Sequence, residues 1–152
     1  MFENYEPPSL TAEDVVACAR GWLGTPYHHQ ANLKLVGCDC LGLVRGVWQE
    51  LYGFEVEKAP AYSRDWAEAG RRETMLQAAG RHLKVVDRCA ASAGDVVVFR
   101  LRDGFVAKHA GILTGPETMV HAMEGCNVSE VSLGPWWQRR VAGVFRFPGV
   151  QI

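Results

Sequence analysis

The chain contains no run of about 18 uninterrupted apolar residues, the length a membrane-spanning helix needs. Its opening segment, MFENYEPPSL, lacks the basic start and apolar core of a secretory signal. These two absences lead to the expectation of a protein made in the cytoplasm with no signal peptide and no membrane span, any later export taking another route. Charge is balanced, with 16 Lys and Arg against 17 Asp and Glu, and no run of one sign reads as a tail. The formal net charge of −1 gives no electrostatic reason to expect a nucleic-acid partner. Repeats, low-complexity stretches and linkers are missing too, so residues 1–152 are expected to form a single domain, with 1–10 as an extended N-terminal segment. There is no C-x-x-C pair and no ligand quartet to support a metal site, and no cofactor is implied. The five cysteines (Cys18, Cys38, Cys40, Cys89 and Cys126) are odd in number and irregularly spaced, and a chain of this length needs no disulfide framework. Reduced thiols follow, and a Cys38–Cys40 bridge would be strained.

What is present is the composition of an ordinary soluble globule, 48% hydrophobic and 22% charged. Thr11-Ala-Glu-Asp14 resembles a capping box, and Val15, Val16, Ala19, Trp22 and Leu23 follow at helical spacing, so a first helix is expected over about 12–23. The Gly-, Pro- and Asn-containing stretch TPYHHQANLKLVG reads as a loop. A second helix starts near Cys40, with Leu41, Val44, Val47, Trp48 and Leu51 as its apolar stripe and Gly53 as its stop; a third lies within 65–81. Beyond that point the period becomes two. Strands are expected over 83–86, 95–101, 106–113, 118–123, 128–133 and 143–147, with Gly94-Asp95, Asp103-Gly104 and Gly115-Pro116 as turns. Helices first and strands second favour an α+β fold, helices packed on a C-terminal antiparallel β-sheet.

Cys40 falls in the first turn of the second helix. Unpaired amides and the positive end of the helix dipole favour an anion there, so the thiol's pKa is expected to fall and its nucleophilicity to rise. An imidazole within reach would complete the activation. His28 and His29 sit in the Gly/Pro loop and His82 follows a charged helix, whereas His109 and His121 lie inside strand-like segments. Alternation puts His109, Gly111 and Leu113 on one face, and His121 with Met119 and Met123 on one face of the next strand. Joined through Gly115-Pro116, the two strands would be antiparallel neighbours, and one histidine could orient the other. The residues thus permit Cys40 as nucleophile, His109 as general base and His121 as orienter. They equally permit Cys40 as a small buried hydrophobe and His109 as a satisfied core histidine. Tyr27 can be a core aromatic with a polar tip, Asp39 a helix cap, Trp136-Trp137 a packing anchor or a docking face, and Arg139-Arg140 a solvated end.

Five blocks in order then resemble the NlpC-like family of bacterial cell-wall cysteine peptidases, whose fold is papain-like. GWLGTPYHHQ resembles its Gly-x-Pro-Tyr segment, GCDCLGLV its Asp-Cys-Ser-Gly-Leu-Val block, and GDVVVFR its Gly-Asp-Leu-Val-Phe strand. KHAGIL resembles its His-Val-Gly-Ile strand, and MVHA the segment carrying the third polar residue. The resemblance implies Cys40 rather than Cys38 as nucleophile, His109 as base and His121 as orienter. It also implies Tyr27 lining the site and Asp39 helping to hold the substrate's free amine. The implied substrate is the peptide stem of peptidoglycan, with no metal or organic cofactor.

Some features depart from the family pattern. Leu41-Gly42 stands in place of Ser-Gly, and His28, His29 and Gln30 stand where Trp and Gly are common. The form Asp39-Cys-Leu-Gly-Leu-Val-Arg-Gly46 is similar to the short versions of tailed phages, prophages and gene-transfer agents. That likeness implies a tail or virion component, bound to tail or hub proteins and acting on the wall during DNA delivery. The alternatives are a non-catalytic tail-assembly module on the same fold, or a thiol amidase or acyltransferase.

Overall fold

A computed structural model describes residues 5–56 and 73–152. The first helix, α1 (Ala12–Arg20), begins where Thr11 accepts from the Asp14 amide and Asp14 accepts from the Thr11 amide, so the capping box is formed with Asp in its last place. It stops three residues earlier than its apolar spacing predicts. Trp22 and Leu23 donate instead to Ala19 and Arg20 in tight turns, and the Trp22 indole bonds Glu50. The second helix, α2 (Cys40–Tyr52), is capped by Asp39 and closed by Gly53 in the left-handed region at φ 83°. At Gly46 a Cβ would lie 2.2 Å from the Trp22 ring, so the missing side chain is what lets the turn after α1 close on α2. Of the third expected helix, residues 65–72 lie outside the described residues, and the remainder is α3 (Thr74–His82).

Among the described residues ten strands follow in order: β1 (Leu10–Thr11), β2 (Asn32–Leu33), β3 (Gly37–Cys38), β4 (Lys84–Val86), β5 (Val96–Phe99), β6 (His109–Gly115), β7 (Thr118–His121), β8 (Ser129–Ser132), β9 (Val141–Arg146) and β10 (Val150–Gln151). The six expected strands form one antiparallel sheet in the order β4-β9-β5-β6-β7-β8. Three small features were not expected: the parallel β1–β10 pair, the β2–β3 hairpin inside the 25–37 loop, and a short helix α4 (Pro135–Gln138). β6 starts at His109 rather than Val106, because the Ala107 amide is committed to the Glu73 carboxylate at 3.0 Å.

The fold is α+β, with α1 and α2 against one face of the sheet. Val15, Trp22, Leu43 and Val47 from the helical side meet Val96, Val98, Ala110, Ile112 and Val120 from the sheet. Burying this apolar surface is the main stabilising force. The opposite face carries a second, smaller cluster of Val97, Phe99, Leu113, Met119 and Val144, with Trp137 of α4 packed against it. Arg146 on β9 grips the buried Asp95 with two bonds of 2.8 and 2.9 Å, fixing the start of β5.

Candidate active site

The site is assembled at the start of β6 from three elements. α2 supplies Cys40 at its first position. That turn is held by Asp39, whose two oxygens accept from the Gly42 amide at 2.7 Å and the Gln30 amide at 2.8 Å. Asp39 is thus a cap, as one sequence reading had it, and it also ties the 25–37 loop to the helix. Gly42 is required by close approach, since a Cβ there would lie 1.8 Å from the Ala31 carbonyl oxygen.

β6 and β7 supply the imidazoles. Their antiparallel register sets His121 opposite Gly111, two positions from His109 and on the same face, as alternation predicted. His109 Nε2 and His121 Nδ1 are 2.9 Å apart, and both residues are buried. One proton occupies that line. For His109 to accept a proton at Nδ1, the shared proton must sit on its Nε2 and be donated to His121 Nδ1, which puts the hydrogen of His121 on its own Nε2. The Cys40 thiol donates to the carbonyl of Lys108, the residue before His109, at 3.5 Å. Cys40, His109, Tyr27 and Asp39 all line one cleft of about 260 Å³, together with His29, Leu41, Met75, Leu101, Lys108 and Met123. All five site residues named from the sequence are therefore brought together: four line the cleft, and His121 stands behind His109.

One expectation is corrected. The first turn of a helix was expected to lower the Cys40 pKa, but burial, followed by the Asp39 carboxylate, pushes the thiol up to about 12. The backbone amides of Ala110, Leu41 and Cys40 itself oppose this and favour the anion. Burial, followed by the neighbouring His121, lowers His109 to about 3, and burial lowers His121 as well. The resting pair is thus a neutral thiol and a neutral imidazole, a combination suited to proton transfer during attack rather than to a standing ion pair.

Other residues stand as follows. Cys38 is packed in the core, and all five cysteines are free thiols. His29 lines the cleft, its Nδ1 3.9 Å from Asp39, while His28 is exposed. Arg140 is not a solvated end: its guanidinium lies 3.8 Å over the Trp136 ring and bonds the Trp136 and Leu101 carbonyls. Sequence reasoning missed the place of Trp137 against the two histidines, because a four-residue helix carries no periodic signal. It also missed the Glu73 clamp, whose carboxylate holds Arg100 at 2.6 Å as well as the Ala107 amide. Among the described residues no group of three or more His, Cys, Asp or Glu is placed to hold a metal ion, and no helix is long and apolar enough to cross a membrane.

A cysteine at the head of a helix, packed on a sheet that carries a histidine, is the arrangement of papain-like cysteine peptidases. The chain belongs to the NlpC/P60 family, whose sequence profile matches residues 24–146. It is 30% identical over 120 residues to the murein DD-endopeptidase MepS/murein LD-carboxypeptidase of Escherichia coli K12, covering 78% of this chain and 54% of that protein. It is 26% identical over 146 residues to the gamma-DL-glutamyl hydrolase of Bacillus subtilis, covering 95% of this chain and 32% of that protein. The chain thus spans about half the length of the first relative and a third of the second. Among solved structures, an NlpC/P60 family protein from Bacillus cereus superposes with a TM-score of 0.68 at 20% identity, over 94% of this chain and 42% of that one. The NlpC/p60 domain of the peptidoglycan hydrolase SagA superposes with a TM-score of 0.66 at 19% identity, over 91% of this chain and all of that one. These two likenesses establish the shared fold.

Proposed function

We propose that the chain is a peptidoglycan stem-peptide hydrolase, a cysteine endopeptidase in which Cys40 is the nucleophile, His109 the general base and His121 its orienter. The observation that carries this reading is the His109–His121 hydrogen bond beside a thiol that donates to the Lys108 carbonyl, with Cys40 and His109 lining one cleft. The Cys40 sulfur attacks the amide carbonyl while His109 Nδ1 takes the thiol proton; a C–S bond forms, and the Cys40 amide stabilises the oxyanion. The C–N bond then breaks as His109 returns the proton to the leaving amine. Water, deprotonated by His109, opens the thioester and frees the thiol. His121 accepts from His109 Nε2 throughout and stabilises the imidazolium as it forms. Tyr27 and Asp39 line the cleft beside the sulfur and are assigned to substrate binding, Asp39 to the free amine of the stem. The names of the two curated relatives, a murein endopeptidase and a gamma-glutamyl hydrolase, support an amide of the peptide stem as substrate.

The delivery route proposed is a phage-like tail or gene-transfer agent, with tail or hub proteins as partners and the protein as a virion component. Its support is the likeness of Asp39–Gly46 to the short tail-borne versions of the family. Digestion of purified peptidoglycan by the wild-type and Cys40→Ala proteins, read as released muropeptides by mass spectrometry, tests the chemistry. Equal release from both would overturn it. Mass spectrometry of purified tail particles tests the route, which fails if the chain is absent from them.

A further inference from the structure

We infer that Trp137 is a positioning residue for this chemistry: its indole fixes the ring plane of His109 and closes the His109–His121 hydrogen bond against water from the outer face of the sheet. The inference rests on the reading of His109 as the general base. Trp137 meets both imidazoles, and in two different ways. Its ring lies 5.5 Å from that of His109 at an interplanar angle of 30°, and 5.3 Å from that of His121 at 90°. Phe99, directly opposite His109 in the β5–β6 register, completes the enclosure at 5.9 Å from His109 and 4.9 Å from Trp137. Offset and edge-on ring contacts of this kind restrict rotation about the terminal side-chain torsion, which for histidine is otherwise broad. A base whose Nδ1 must face a sulfur needs that restriction.

The helix that presents Trp137 has only four residues, too few to hold itself by its own backbone bonds. It is tied down by side chains. Arg140 donates to the Trp136 carbonyl at 2.7 Å and to the Leu101 carbonyl at 3.4 Å, and Gln138 donates to the Leu133 carbonyl at 2.9 Å. Leu101 itself lines the cleft, so the Arg140–Leu101 bond joins this segment to the cleft wall. A tryptophan serving only the outer cluster would fill space beside Phe99, Leu113 and Met119; this one is also seated on the two polar rings of that face.

The test is the titration of His109, followed by NMR of labelled imidazoles, in the wild type, Trp137→Leu and Trp137→Phe, with steady-state kinetics on muropeptides. Charged and titratable groups near His109 are His121 on β7, Cys40 and Asp39 at the head of α2, Lys108 just before it, Tyr27, His29 and Glu124 across the cleft, and Arg140 beyond the indole; none of them is altered in these variants. In Trp137→Leu the His109 midpoint should rise toward the ordinary imidazole range as water reaches the ring, and kcat should fall at least tenfold with KM within twofold. Trp137→Phe should restore most of both. A folded Trp137→Leu protein with an unmoved midpoint or a wild-type kcat overturns the inference. Should that variant fail to fold, Gln138→Leu, which cuts the tie to Leu133 and keeps the indole and every charge, is expected to raise the midpoint in the same direction, and an unmoved midpoint there overturns it equally. Hydrolysis by the wild type is scored separately: its absence refutes the proposed function, while the titration decides the part played by Trp137.

Discussion

Removing the Asp39 carboxylate separates its structural part from its electrostatic one. In Asp39→Ala the Gly42 amide, buried beneath Ala31, loses its acceptor and cannot turn to water, a loss worth about 1–3 kcal/mol. The Gln30 amide lies nearer solvent and contributes about 0.5–1.5 kcal/mol more. Together these give a destabilisation of about 1.5–4.5 kcal/mol. Asp39→Asn differs in a specific way. Its amide oxygen can still accept from Gly42, but its NH₂ would face the Gln30 N–H, so only the second bond is lost and the fall should be about 1 kcal/mol. Both variants remove the negative charge that helps raise the Cys40 thiol, so both should alkylate faster with iodoacetamide near pH 8 than the wild type. Urea unfolding followed by circular dichroism reads the first effect, and mass spectrometry of alkylated protein the second. If Asp39→Ala and Asp39→Asn are equally stable, the double-cap reading is wrong. If neither changes the alkylation rate, the charge of Asp39 is not felt at the sulfur.

Three further outcomes follow from the same geometry. Gly42→Ala, whose methyl would meet the Ala31 carbonyl oxygen, should cost about 1–3 kcal/mol in urea unfolding and reduce activity by displacing the Cys40 turn; wild-type stability would contradict the close approach. In the wild type, iodoacetamide alkylation of Cys40 should keep climbing as pH rises above 8, because the thiol is held up to about 12; a plateau below pH 7 would instead reveal a standing thiolate. His109 and His121 are both lowered in the folded chain, so each contributes stability above the ordinary imidazole value of 6.5 that is lost as pH falls, for His109 through the window from 6.5 down to about 3. His109→Gln should flatten the stability slope in that window by about 1.4 kcal/mol per pH unit, and an unchanged slope would show that His109 is not held neutral.

The parts of the site that were legible in the sequence are those set by local rules. Asp39, the apolar stripe and Gly53 fix where α2 starts and stops, and hence where Cys40 sits. Strand alternation and the Gly115-Pro116 turn bring His109 and His121 to one face, because the side-chain period of a strand is two. The parts that were hidden depend on partners distant in sequence. The Ala107 amide leaves the ladder for Glu73, 34 residues away, so β6 begins late. Leu10 and Thr11 pair with Val150 and Gln151, which no local pattern can announce. The direction of the Cys40 pKa was misread for the same reason. Helix position is a local fact, whereas burial against β6 is created by the whole fold, and for this thiol burial outweighs the nearby amides. Helix α1 ends early because Trp22 is drawn across to Glu50 on α2, a contact that competes with the helical continuation its spacing favours.

The proposal as a whole depends on a covalent bond forming at one sulfur atom. Protein quenched in acid during muropeptide digestion, digested with trypsin and read by mass spectrometry, should carry the mass of an acyl fragment on the peptide containing Cys40 and on no other cysteine. Digestion that proceeds at full rate with Cys40 never modified, or with the fragment on a different thiol, would contradict it.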